Sequence, residues 1–138
     1  MPASPDGAPA ARVVLCKKVI AQIGRAVGEP ALKVNWLVGS VTERLQMVGS
    51  GRADLDCANT TQTQTRLANV DFSNLIFLDA GGFIVKAGSP INKIPDLAGR
   101  KVAVLKGTTT ETRLNDALRV RLVNATVVPI TNAGEGVA

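Results

Sequence analysis

Near the start of the chain, Cys16, Val19, Ile20, Ile23 and Val27 recur at helical spacing, with Lys17, Lys18, Gln22 and Arg25 between them. The spacing predicts an amphipathic helix over roughly residues 13–27, ended by Gly28 and Pro30. Residues 32–38 (Leu-Lys-Val-Asn-Trp-Leu-Val) alternate apolar with polar and predict a strand. Ser40-Val41-Thr42-Glu43 has the form of a capping box. A short helix carrying Leu45 and Val48 should follow it and close at Gly49 and Gly51. Residues 53–58 read as another short strand, and a helical turn is expected over about residues 62–69.

Beyond this point the pattern begins again. Residues 76–86 hold a long extended segment broken by Gly81-Gly82, and residues 94–99 read as a single helical turn. That turn introduces a predicted strand at residues 101–105. Thr108-Thr109-Thr110-Glu111 is a second capping box, before a helix with Leu114, Ala117, Leu118 and Leu122 on one face. Residues 125–130 predict a further strand, and residues 133–138 the approach to another helix. Alternating helices and strands imply an α/β fold with mainly parallel pairing. Residues 13–80 form a first α/β lobe, residues 81–92 a crossover or hinge, and residues 93–138 part of a second lobe. Residues 1–12, rich in Pro, Ala and Gly without an apolar signal core, read as a disordered leader.

Composition narrows the function. Aromatic residues make up 3% of the chain and Tyr is absent, so the core must be aliphatic. The net charge of +5 comes from scattered cations with no aromatic residues interleaved to stack on bases. That distribution argues against a nucleic-acid partner and suits anionic small molecules at least as well. The chain has no His, which removes Ser-His, Cys-His and zinc–histidine chemistry within it. Cys16 and Cys57 are too few and too far apart for a zinc site. Each sits in an apolar stretch, so two buried free thiols are expected in preference to a disulfide, which an oxidising compartment would allow. No apolar run is long enough for a membrane span, and no cofactor or metal site is expected.

Two stretches carry candidate chemistry. In the first, the predicted strand at residues 53–58 exits through Asn59, Thr60, Thr61, Gln62 and Thr63 into a helical turn bearing Arg66. Ligands of open α/β sheets bind beyond the carboxyl ends of strands. A guanidinium fork matches a carboxylate, and hydroxyls and helix-start N–H groups add neutral donors. This stretch is therefore a candidate carboxylate clamp, weighed evenly against a solvated cation beside ordinary turn formers. In the second, Gly107 permits the turn out of a strand and Thr108 caps the next helix, with Thr109 and Thr110 beside its first N–H groups. Simple helix capping is the preferred reading there, and the Gly-Lys-Ser/Thr ending of a phosphate-binding loop is absent. Asp54, Asp56, Glu43, Glu111, Asp96 and Asp116 form no convincing acid/base pair.

In order and spacing these motifs resemble the polar amino-acid-binding proteins of bacterial ABC uptake systems (solute-binding protein family 3), and among them the glutamate/aspartate-binding branch. The residues that carry the resemblance are Gly51, Asp54, Cys57, Thr60, Thr61, Arg66, Phe72, Ser73, Ile76, Phe77, Asp96, Leu97, Gly99, Lys101, Val102, Gly107, Thr108, Thr109 and Glu111. The resemblance implies a two-lobed periplasmic receptor of the type II fold, truncated at both ends, that closes on one free amino acid and delivers it to an ABC permease. It assigns the α-carboxylate to Arg66, polar contacts to Thr61 and Asn59, second-lobe contacts to Thr109 and Thr110, and backbone contacts to Ala80 and Gly81. Where the acidic-ligand branch tends to carry an Arg in the crossover, this chain has Gly82, so the resemblance leaves the ligand open. An incomplete second lobe would expose apolar surface, which predicts a homodimer, intertwined or strand-swapped. Two other readings stand beside this one. One is a remnant or interaction protein that keeps the fold without binding solute; the other, less favoured without His, is a dehydratase-type lyase on the same fold.

Overall fold

A computed structural model describes residues 11–78 and 80–136. Its elements run α1 (Ala11–Ala26), α2 (Val41–Gly49), α3 (Gln64–Leu67), a 3-10 turn (Ile94–Leu97), β1 (Lys101–Leu105), α4 (Thr109–Val120), β2 (Thr126–Ile130) and a 3-10 turn (Ala133–Gly136). The expected leader lies outside the described residues up to residue 10, and α1 begins at Ala11. The chain divides into two compact units. One holds the described residues up to Gly39 together with Glu43–Asp71; the other holds Ser40–Thr42 and the described residues from Phe72 onward.

The second unit is built on a β1–α4–β2 repeat. β1 and β2 pair in parallel with Lys101 opposite Thr126 and Leu105 opposite Ile130. Parallel neighbours need a crossover, and α4 supplies it. The strand period of two points Val102 and Val104 to one face, where Leu114 and Leu118 of α4 meet them. Leu97, from the 3-10 turn before β1, completes a buried aliphatic cluster with Val104, Leu114 and Leu118. Asp96 fixes that turn by accepting the N–H groups of Asn92 (2.9 Å) and Lys93 (3.1 Å). The Asn92 N–H is the main reason its carboxyl titrates below its usual range.

Helix α4 ends in a way that periodicity misjudges. Leu122 continues the apolar stripe in sequence, yet it lies past the helix end and is 92% exposed. Val123 N–H donates to Leu118 C=O at 2.9 Å, and Leu122 N–H donates to Arg119 C=O at 3.2 Å. These two bonds make a Schellman cap, which requires a left-handed residue between them. Leu122 takes that conformation, with φ of 54°. Val123, one residue on, packs against the cluster in its place.

In the first unit α1 turns Cys16, Ile20, Ile23 and Gly24 inward and Lys17, Lys18, Gln22 and Arg25 to solvent. The turn after α1 passes so close that a Cβ on Gly24 would meet the Glu29 carbonyl oxygen at 2.6 Å. Residues 32–38 and 53–58 carry no ladder pairing, contrary to the strands their alternation predicts. A strand exists only through a partner's backbone, and the sheet of the described residues contains β1 and β2 alone. The alternation at residues 32–38 still has a local cause: Leu32, Val34 and Trp36 line one groove with Ile20 and Ala21 of α1.

The expectation of two free thiols is overturned. Cys16 and Cys57 form a disulfide, with their Cα atoms 5.9 Å apart. Burying the α1 face that carries Cys16 against the segment carrying Cys57 brings both into bridging reach. The bridge closes a loop across a sequence separation of 41. In the chain-entropy model a loop of that length contributes about 4 kcal/mol.

Two outcomes follow. Replacing both cysteines by Ser should lower the unfolding free energy by about 2–5 kcal/mol in urea titrations, and an unchanged midpoint would contradict the bridge. Leu122→Gly should raise it by about 0.5–1 kcal/mol, because Gly adopts the left-handed conformation without strain and little burial is lost. A destabilised Leu122→Gly variant would show instead that the Leu122 side chain packs in solution.

Candidate functional site

The polar turn after Cys57 is held from its own ends. Thr63 precedes α3, and its side-chain oxygen accepts the Arg66 N–H at 3.2 Å, the N-cap geometry that starts a helix. That cap fixes the backbone from which the Arg66 side chain departs. The guanidinium then folds back, and Nη1 donates to the Thr61 carbonyl at 2.7 Å. Arg66 is half-buried, while Asn59 and Thr61 are exposed. The structure thus brings Arg66 and Thr61 into direct contact, with Asn59 two residues upstream of the accepting carbonyl.

Upstream, a further group of side chains reaches the same turn. Arg44 of α2 donates through Nε to Asp56 Oδ1 at 3.0 Å and through Nη1 to the Gly39 carbonyl at 3.0 Å. The other Asp56 oxygen accepts the Thr60 hydroxyl at 2.5 Å. Asp56 and Arg44 side chains are 13% and 26% exposed. In sequence Asp56 belongs to no convincing acid/base pair, and neither Arg44 nor Thr60 is marked as its partner. The local signal was an acidic residue four positions before a Thr; its Arg partner is twelve positions away and has no local signature.

In the other unit Thr109 and Thr110 stand in the first turn of α4. Thr108 caps it, its oxygen accepting the Glu111 N–H at 3.2 Å while its hydroxyl donates to Leu105 C=O at 2.7 Å. Gly107, at φ of 74°, makes the turn from β1, and its N–H donates to Glu111 Oε2 at 2.7 Å. The capping box expected at residues 108–111 is therefore formed around Thr108, with the Glu111 carboxylate reaching one residue further back than usual. Thr109 is half-buried and Thr110 exposed. Ala80 and Gly81 lie exposed in an irregular stretch of the same unit. Among the described residues no cluster of His, Cys, Asp and Glu could hold a metal, and no helix is long and apolar enough to cross a membrane.

The family model for bacterial extracellular solute-binding proteins, family 3, matches residues 12–135, and the chain belongs to that family. It is 28% identical over 118 residues to an L-glutamate/L-aspartate-binding protein of Pseudomonas aeruginosa, covering 86% of this chain and 39% of that protein. It is 32% identical over 127 residues to the glutamate/glutamine/aspartate/asparagine-binding protein BztA of Rhodobacter capsulatus, covering 90% of this chain and 36% of that one. The general L-amino acid-binding periplasmic protein AapJ of Rhizobium johnstonii is 30% identical over 125 residues, covering 89% of this chain and 36% of AapJ. The chain therefore spans under two-fifths of the length of these relatives.

Proposed function

We propose that the chain binds a free amino acid through its α-carboxylate, as part of a receptor for an ABC importer, and that it is not an enzyme. The observation that carries this reading is the Arg66 guanidinium held 2.7 Å from the Thr61 carbonyl in a turn rich in hydroxyls. A guanidinium fixed in place loses less freedom on meeting a carboxylate, and its planar fork suits that group. Family membership and the amino-acid-binding relatives support the same ligand class. In this reading residues 13–80 serve as a first lobe of the type II fold, residues 81–92 as the hinge, and residues 93–138 as part of a second lobe. Arg66, Thr61 and Asn59 act from the first lobe; Thr109 and Thr110 act from the second, and Ala80 and Gly81 contribute backbone groups. Hinge closure around the solute would bury these contacts. The Cys16–Cys57 bridge supports an oxidising compartment, the periplasm.

A thermal-shift screen of the common amino acids tests this. A ligand at a hundredfold excess over its Kd stabilises by about 2.7 kcal/mol, and its midpoint should rise accordingly. Arg66→Ala should weaken that ligand roughly ten- to hundredfold by removing a charge-assisted pair. A folded wild-type protein that responds to no amino acid would favour the solute-free remnant reading. An undiminished response in Arg66→Ala would remove Arg66 from the site, and turnover of a prephenate-like acid would revive the lyase.

The same chain is proposed to pair with a second copy. Phe77, Leu78 and Ile84 are 73%, 83% and 90% exposed, within two apolar stretches at residues 75–78 and 83–85. Exposed apolar runs of this kind mark an interaction site, and backbone outside any ladder can pair as a strand between copies. Light scattering on a sized peak should give twice the 14.4 kDa chain mass. Phe77→Asp with Ile84→Lys should return it to one chain mass; a wild-type monomer across micromolar concentrations would overturn the pairing.

A further inference from the structure

Two adjacent residues tie the start of the polar turn to two different helices. Cys57 is bonded to Cys16 of α1, and Asp56 is paired with Arg44 of α2. Both carboxylate oxygens of Asp56 are committed: Oδ1 accepts from Arg44 Nε at 3.0 Å, and Oδ2 accepts the Thr60 hydroxyl at 2.5 Å. Arg44 is itself fixed, since Nη1 donates to the Gly39 carbonyl at 3.0 Å, just ahead of α2. A continuous chain of hydrogen bonds thus runs from Gly39 through Arg44 and Asp56 to Thr60. Thr60 sits between Asn59 and Thr61, and the Thr61 carbonyl is where the Arg66 guanidinium rests, at 2.7 Å.

We infer that Arg44, Asp56 and Thr60 are positioning residues for amino-acid recognition, setting the backbone of Asn59–Thr61 and, through the Thr61 carbonyl, the aim of Arg66. The inference rests on the solute-binding reading above. The Thr60 hydroxyl has no role in the disulfide, in the cap on α3 or in the aliphatic cluster of the other unit. With Cys57 held covalently, losing the Thr60 hydroxyl leaves the segment anchored but releases the backbone just beyond it. A binding group must be held within about half an ångström of its working position, so this freedom is felt in affinity before it is felt in folding. The Arg44–Asp56 pair is partly exposed, where solvent screening keeps the contribution of an ion pair to overall stability small.

The test compares Thr60→Val, which keeps the shape and removes the hydroxyl, with Thr60→Ser, which keeps the hydroxyl. Each is prepared with the disulfide intact and titrated calorimetrically with each common amino acid as probe. Thr60→Val should bind about tenfold more weakly than wild type, with its ligand-free unfolding midpoint within about 2 °C of wild type. Thr60→Ser should recover affinity to within about twofold, and Asp56→Asn combined with Thr60→Val should cost no more than the larger single loss. Unchanged affinity in Thr60→Val, or equal losses in Thr60→Val and Thr60→Ser, would overturn the positioning role. So would an affinity loss matched by a fall in the ligand-free midpoint, because that is ordinary destabilisation. A wild-type protein that binds no amino acid would instead bring down the solute-binding reading, and the inference with it.

Discussion

Cys57 is covalently tied to α1, and the residue before it is ionically tied to α2. The polar turn that runs from Asn59 to Arg66 starts from that dipeptide. Residues 53–58 have no strand partner among the described residues, so no sheet ladder sets their position. A bond and a charge pair do what a central strand's neighbours would otherwise do. Thr60, Thr61, Thr63 and Arg66 then follow from local geometry, by one hydroxyl contact, one helix cap and one folded-back guanidinium. The arrangement is economical in residues, since backbone carbonyls and hydroxyls take the place of a second charged cluster.

The second unit solves a different problem. Its β1–α4–β2 repeat buries a small aliphatic cluster with no aromatic residue in it. That matches a chain in which aromatics are scarce. The turn from β1 into α4 is ruled by Thr108 and Glu111, whose oxygens take the N–H groups of Glu111 and Gly107. A helix start organised in this way presents ordered polarity next to the carboxyl end of a strand, the place where α/β folds meet ligands. The chain belongs to solute-binding protein family 3 and spans under two-fifths of the length of the relatives compared.

What could be read from sequence was what neighbouring residues decide. β1 at Lys101–Leu105, the Thr108 cap and the helical turn ahead of β1 all have signals within a few positions. Helix α1 was legible through its period, and Arg66 was singled out by its place after a run of hydroxyls. What escaped depends on partners distant in the chain. The pairing of Cys16 with Cys57, and of Arg44 with Asp56, needs the fold before either can be seen. Alternation at residues 32–38 and 53–58 reports which side of the chain meets neighbours, but not whether a backbone lies alongside to hydrogen-bond. Leu122 shows a third limit: an apolar residue in register with a helix face was used for its backbone angle, with Val123 taking the buried place.

The disulfide also orders events in time. Both of its cysteines precede Lys101, the first residue of β1, by more than forty positions. A chain that emerges from its amino terminus can therefore close this loop while the whole β1–α4–β2 repeat is still to come, and domains generally fold as units in that sequence. A covalent bridge made early fixes the point from which residues 58–71 must fold. It also exposes the growing chain to one particular error: until Cys57 appears, Cys16 is an unpaired thiol available to any other thiol nearby.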